Sequence, residues 1–250
     1  MSLSRNPAEN RRCDEGPRPS DLRLRGQLAD RPASSTEEVP RELARGRLGK
    51  RLLDVAITIP VLVAAVPIAL VAIALVQLAD PGPVFFRQVR IGLGGRPFVM
   101  LKLRTMYVGA DEGAFREFNI RELRGEAGPS RDGMFRLEND PRVLPVCRLL
   151  RRYSVDELPQ MINVLQGEMS LVGPRPSLPW EVELYTPEQR RRHQCLPGLT
   201  GLWQVSGRNR LSIQQMLELD LIYVEQRSLL LDLSILARTP LTVLARRGAA

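Results

Sequence analysis

The run Arg151-Arg152-Tyr153-Ser154-Val155-Asp156-Glu157-Leu158-Pro159-Gln160 sets two adjacent carboxylates among arginines, with Arg148 just ahead and Gly173-Pro174-Arg175-Pro176 a short way behind. Such a cluster suits phosphate chemistry, in which an anionic nucleophile, a metal and a cationic clamp converge on one charged group. Two neighbouring acids can divide the labour, one attacking and the other binding a hard divalent cation such as Mg²⁺ through oxygen. Asp156 and Glu157 are therefore the candidate catalytic and metal-binding residues. Arg175, its backbone fixed by a proline on each side, suits bidentate phosphate binding, although a rigid surface turn explains the same four residues read alone. Lys102-Leu103-Arg104-Thr105-Met106 would point two basic side chains to one side of an extended strand, and a solvated basic edge is the plainer reading there. Pro197-Gly198-Leu199-Thr200-Gly201, with Gln204, Gly207, Arg208 and Asn209, is a glycine-punctuated loop able to approach a nucleotide closely. His193 is the only histidine, which leaves a Ser-His-Asp or Cys-His mechanism poorly supplied. It reads as a surface or packing residue.

Elements must hold these groups in place. Ser154 precedes Glu157 by three positions, the capping-box spacing, and Pro159 belongs in a first helical turn. If Asp156 is itself the cap, Pro159 falls where its missing N–H costs nothing. Either register predicts both acids at a helix N-terminus, where partial positive charge keeps a carboxylate ionised and also attracts phosphate. Capping alone would account for an arbitrary Asp-Glu pair; the surrounding arginines are what argue for more. Leu149, Leu150, Met161, Ile162, Val164 and Leu165 mark helical segments on either side. Upstream, Asp80-Pro81-Gly82-Pro83 is a turn cluster, and Val84-Phe85-Phe86 and Phe98-Val99-Met100-Leu101 read as extended pieces around Gly92 to Gly95. Near the end, apolar positions from Leu229 to Leu244 alternate with Asp232, Arg238, Arg246 and Arg247. This fits amphipathic helices on a membrane surface or helices packed on the domain's own core.

From Val55 to Ala79 the chain carries no charge, the only segment long enough to cross a bilayer. Its flanks complicate a simple span: Arg45, Arg47, Lys50 and Arg51 stand in front, and Arg87, Arg90, Arg96, Lys102 and Arg104 behind, so both ends favour the cytoplasm. Pro67 divides the segment into two arms, each about 18 Å long as a helix and too short for a core of about 30 Å. A helix bent at Pro67 or Pro60 that enters one leaflet and returns fits these residues as well as a span does, with the freed backbone groups satisfied locally.

The formal charge of +8 favours anionic partners such as phospholipid headgroups, phosphorylated metabolites or nucleic acid. Only 5% of residues are aromatic, and none interleave with basic residues as a base-stacking surface requires, which counts against nucleic acid. Cys13, Cys147 and Cys195 are odd in number and lack metal-ligand spacing, as in a reducing compartment. Residues 1–40 are rich in Arg, Glu, Pro and Ser, and are expected to form a disordered polar leader.

Taken in order, these pieces resemble the bacterial monotopic phosphoglycosyl transferases, the initiating sugar transferases of polysaccharide and glycoconjugate pathways. The match runs from Lys50-Arg51-Leu52-Leu53-Asp54 through Pro81-Gly82-Pro83-Val84-Phe85-Phe86-Arg87-Gln88, Lys102 to Met106 and Asp156 to Gln160. It continues through Ser170-Leu171-Val172-Gly173-Pro174-Arg175-Pro176, Pro197 to Gly201 and Gly207-Arg208-Asn209. The resemblance implies transfer of a sugar-1-phosphate from a nucleotide diphosphate sugar, usually a UDP-sugar, to a polyprenol phosphate such as undecaprenyl phosphate, with release of UMP. By that analogy Asp156 is the nucleophile, Glu157 places Mg²⁺ or assists the acceptor, and Arg175 binds phosphate. Lys102, Arg104, Arg152 and Arg208 become further phosphate contacts, while Lys50 and Arg51 anchor the membrane helix at headgroups.

The implied fold is mixed α/β and mostly helical: a monotopic protein with a re-entrant bent helix and amphipathic surface helices around a small cytosolic catalytic domain. Residues 1–40 would be the leader, 41–80 the interfacial and re-entrant helix and 81–250 the catalytic domain, on the cytosolic face of the bacterial inner membrane. A homo-oligomer and downstream glycosyltransferases are compatible partners. Two departures from the family pattern stand out. Val66 replaces the serine that often precedes the bending proline, and the chain looks like a small catalytic-core form without the extra transmembrane helices of larger relatives. The alternative from another class is a non-catalytic, membrane-anchored basic scaffold.

Overall fold

The computed structural model describes residues 41–110, 113–126, 142–207 and 211–245. The expected polar leader, Cys13 and Arg208 lie outside them. The described chain is mostly helical with two small two-stranded sheets, in line with the mixed α/β expectation.

Helix α1 runs Arg41–Ala79 and carries both Pro60 and Pro67 inside it. Its two ends dock on the rest of the protein. Near the start, Asp54 and Thr58 are buried; near the end, Ala72 and Val76 are buried against Leu103, Leu144, Cys147 and Leu150. Between them the helix is bare: Ile59, Val61, Val63, Val66, Ile68, Leu70 and Val71 are all exposed. Only Leu62, Ala65 and Ala69 are shielded there, continuing the helical stripe from Thr58 to Ala72 and Val76. A helix this apolar, uncovered in its middle, is a possible membrane anchor.

After the Pro-Gly-Pro turn, β1 (Phe85–Ile91) and β2 (Pro97–Leu103) form an antiparallel hairpin with Phe85 opposite Leu103 and Ile91 opposite Pro97. The connection works because Gly94 and Gly95 take left-handed φ of 64° and 75°, a region that costs a side chain dearly. The two extended pieces read from sequence are these strands. Helix α2 spans Gly113–Leu123 and α3 spans Cys147–Arg152. Helix α4 (Gln160–Gln166) ends at Gly167, whose φ of 81° returns its N–H to the helix carbonyls.

Strand β3 (Ser170–Val172) pairs in parallel with β4 (Gly198–Thr200). Between them lie α5 (Pro179–Leu184) and α6 (Pro187–Arg190), and after them α7 (Leu202–Ser206), α8 (Ile213–Gln226) and α9 (Leu229–Ala245). The main core gathers Phe98 and Met100 from β2, Val164 from α4, Leu171 and Val172 from β3, Tyr223 from α8 and Ile235 from α9, together with Met169. Along α9 the buried residues are Asp232 and Ile235, while Leu229, Leu230, Leu233 and Leu241 face outward. Leu231 and Leu236 of the same helix pack against the core, so its leucines are shared between the buried and the exposed side.

Lys50 and Arg51, expected at headgroups, bond the domain itself. Lys50 Nζ lies 2.6 Å from Asp232 Oδ2 and 2.9 Å from the Val172 carbonyl, with the Tyr223 hydroxyl 3.3 Å away. Arg51 donates to the carbonyls of Val164 and Leu165, the last turn of α4, where unpaired carbonyls and the negative helix end attract a cation. Both charges therefore fasten α1 to the domain. The glycines of the Pro197–Gly201 loop serve close packing: a Cβ on Gly198 would collide with the backbone of Gly173, and one on Gly173 with the carbonyl of Leu196.

Candidate active site

Asp156 and Glu157 sit on a one-turn 3₁₀ helix, Val155–Glu157, between α3 and α4. The expected capping box does not form. Ser154 adopts the left-handed conformation, φ 55°, and its side chain makes no cap bond; α4 begins only after Pro159. A left-handed residue aims the following turn away from the α3 axis, so the acids stand on a tight bend instead of a helix end. Val155, on the same turn, packs against the cluster formed by the end of α1. The acids are thereby tied to the point where the apolar helix rejoins the domain.

The two acids differ in environment. Glu157 Oε1 receives a 2.9 Å ion pair from Lys102 Nζ at the end of β2. Asp156 is pushed up to about 6 from an ordinary 3.8, chiefly by burial; Lys102 and Arg151 pull it down, and the charge of Glu157 pushes it further up. Cys147, which the Asp156 charge reaches, is buried with its thiol raised mainly by burial. Lys102 therefore stands beside the acidic pair. Arg151 is half-buried beside it, while Arg148 and Arg152 are exposed on the outer face of α3.

Arg104, expected to sit beside Lys102, goes elsewhere. It is buried, donates to the Asp80 carboxylate, and bonds the carbonyls of Asp80 and Pro83, the latter at 2.7 Å. Strand β2 ends at Leu103, so the alternation that would have paired Arg104 with Lys102 stops one residue short. Its guanidinium closes the Pro-Gly-Pro turn at the end of α1.

Arg175 lies on the loop after β3. From Leu171 to Leu178 it alone is not buried. Among the described residues, no hydrogen bond or ion pair joins it to Asp156 or Glu157. Its loop is fixed by Gly198 N–H donating to the Pro174 carbonyl at 2.8 Å and Arg90 donating to the Pro176 carbonyl at 3.0 Å. A small cavity beside it is lined in part by Tyr185, Arg192, Trp203 and Asp220. His193 stacks on Tyr185 and lies 3.2 Å from the Ser177 hydroxyl; burial and two neighbouring arginines lower it to about 4, so it is a neutral packing residue, as read from sequence.

Sequence reasoning missed Asn163. It is almost fully buried on α4; its amide donates to the Val99 carbonyl at 2.7 Å and accepts from Leu101 N–H at 3.1 Å. That pins the helix behind the acids to the strand carrying Lys102. The only available signal was a polar residue in the middle of an apolar helical pattern. Two carboxylates on one turn offer hard oxygen donors suited to Mg²⁺, which commonly takes one or two carboxylates and completes its shell with substrate phosphates and water. No group of three or more metal-binding side chains occurs among the described residues.

A family model described as bacterial sugar transferase matches residues 45–246. The exopolysaccharide production protein ExoY of Rhizobium meliloti is 40% identical over 225 residues, 88% of this chain and 98% of that protein. The uncharacterized sugar transferase EpsL of Bacillus subtilis is 43% identical over 199 residues, 80% of this chain and 89% of its own. A UDP-glucose:undecaprenyl-phosphate glucose-1-phosphate transferase of Caulobacter vibrioides is 40% identical over 210 residues, covering 81% of this chain and 72% of that one.

Proposed function

This chain belongs to the bacterial sugar transferase family and is a phosphoglycosyl transferase; we propose that it moves a sugar-1-phosphate from a UDP-sugar to undecaprenyl phosphate, releasing UMP, in exopolysaccharide synthesis. The observation that carries this reading is the inequality of the acidic pair. Glu157 is paired with Lys102, whereas Asp156 is half-buried with a raised proton affinity, which leaves it ionised at neutral pH yet poorly solvated. A carboxylate held that way is a good nucleophile.

In the first step, an Asp156 oxygen attacks the sugar-bearing phosphorus, the bond to the bridging oxygen breaks, and UMP leaves with that oxygen and its electron pair. The product on the protein is an aspartyl phosphosugar. In the second, an oxygen of the lipid phosphate attacks the same phosphorus, and the Asp156 carboxylate is released unchanged. Lys102 balances Glu157 and keeps the pair from repelling the incoming diphosphate. Arg175 grips a donor phosphate, and Arg152 offers an exposed charge for the lipid's. Mg²⁺, held by the two carboxylates, would neutralise diphosphate charge.

Placement at a membrane supports the same reading. Both ends of α1 dock on one catalytic domain, and both flanks are basic, which favours a helix that enters the cytosolic leaflet of the inner membrane and returns. The outward leucines of α9 would rest on that leaflet. A lipid phosphate then meets a soluble donor at the headgroup level, without carrying charge into hydrocarbon.

Purified protein given undecaprenyl phosphate, Mg²⁺ and a panel of UDP-sugars is expected to release UMP with at least one of them, and the Asp156→Asn variant with none. UMP release by that variant at the normal rate would remove Asp156 as nucleophile.

A further inference from the structure

We infer that Arg192 is the positioning residue for Arg175. The inference rests on the reading that Arg175 grips a substrate phosphate. Arg192 follows α6 and is buried. Its Nη2 donates to the Arg175 carbonyl at 2.8 Å and also to the Asp220 carboxylate of α8. Its Nη1 donates to the Tyr185 hydroxyl at 2.7 Å, and the guanidinium lies 5.5 Å from the centre of that ring. The Tyr185 hydroxyl is in turn 3.4 Å from Ser177 Oγ. One side chain therefore fixes the Arg175 loop at two points, directly at residue 175 and through Tyr185 at residue 177.

The rest of the loop is held as firmly. Gly173 N–H donates to the Thr200 carbonyl at 2.9 Å, and Ser177 accepts from Ile91 N–H at 2.8 Å. Adding the Pro174 and Pro176 bonds, carbonyls 174, 175, 176 and 177 are each engaged by a donor from another part of the chain. From Pro174 to Ser177 only Arg175 is not fully buried, and it lies at the edge of the small cavity. Fixing a backbone this completely on both sides of one guanidinium makes the ordering cost fall on folding instead of on substrate binding.

A planar fork is needed for the task. Three acceptors, on the loop, on α8 and on Tyr185, are reached at once by Arg192, and a lysine ammonium at the same place would reach them less well. A buried ion pair is weak grounds for stability in itself. Its placement directly on the carbonyl of the phosphate-gripping residue is what assigns it a function.

A double-mutant cycle tests this with full-length protein, reading kcat and KM for UDP-sugar from UMP release. Arg175→Ala and Arg192→Lys are each expected to lower kcat/KM by about tenfold or more. With Arg175 already replaced, adding Arg192→Lys should change it by less than about twofold, because nothing is left to position. Equal losses in both backgrounds would show that Arg192 merely supports the fold, and would overturn the inference. Full turnover by Arg175→Ala would instead remove the phosphate role of Arg175, and the inference with it. Tyr185→Phe keeps the Arg192–Asp220 pair and serves the same cycle should Arg192→Lys not fold. It is expected to lower kcat/KM about threefold or more only when Arg175 is present, and an equal loss without Arg175 would again overturn the inference.

Discussion

Asp156 takes up a proton near pH 6 where an ordinary aspartate does so near 3.8, and the main cause is burial. Two consequences follow for a nucleophile. The rate of forming the phosphosugar adduct should rise with pH through about 6 and level off above it, as single-turnover UMP release measured across that range would show. Lys102 lowers the Asp156 value, so Lys102→Met should move this limb to higher pH; an unmoved limb would mean that Lys102 does not act on the acid. Stability runs the other way. A carboxyl whose folded-state value is raised stabilises the fold while protonated, fully below about 4, and that contribution is lost as the pH climbs through about 6. Asp156→Asn, neutral at every pH, should therefore melt a few degrees above the unaltered protein near pH 7.5 and level with it near pH 4.

Among the elements, those whose partners are close in sequence were readable and those with distant partners were not. The β1–β2 hairpin could be read because its glycines and its two apolar runs are adjacent. The capping box was misread because Ser154 adopts a backbone conformation that spacing does not reveal. Arg104, Lys50 and Arg51 look like surface charges, since nothing nearby shows that they are meant for Asp80 and the Pro83 carbonyl, for Asp232, or for the open carbonyls of α4. The Arg192–Asp220 pair was invisible for the same reason. Asn163 carries the clearest energetic consequence at this scale. Asn163→Ala would leave Leu101 N–H and the Val99 carbonyl without their side-chain partner in a buried setting, at a cost of about 2–3 kcal/mol. Denaturation in detergent should show it as a lowered midpoint, with the slope of UMP release against pH unchanged.

For the molecule as a whole, the decisive quantity is which side of the membrane each end of α1 occupies. Cysteines introduced at Arg45 and Arg87, in protein otherwise lacking cysteine, should both react only with reagent that reaches the cytoplasm. Labelling from opposite sides would establish a span and displace the re-entrant geometry. The apolar helix and the rest of the domain also share one network. Lys50, from the first described helix, meets Asp232 from the last, 182 positions away in the sequence, and Asp54 accepts from Ser170 Oγ at 3.0 Å and Leu171 N–H at 3.1 Å. During synthesis the apolar helix is made early and its carboxylate partner late. Arg51, Asp54 and the end of α1 can find their partners between residues 103 and 171 as soon as these are made, whereas Lys50 can meet Asp232 only after α9 has left the ribosome. Such closure across nearly the whole chain is slow by nature, so a chain stalled before α9 would dock α1 through its nearer partners and leave Lys50 without its carboxylate.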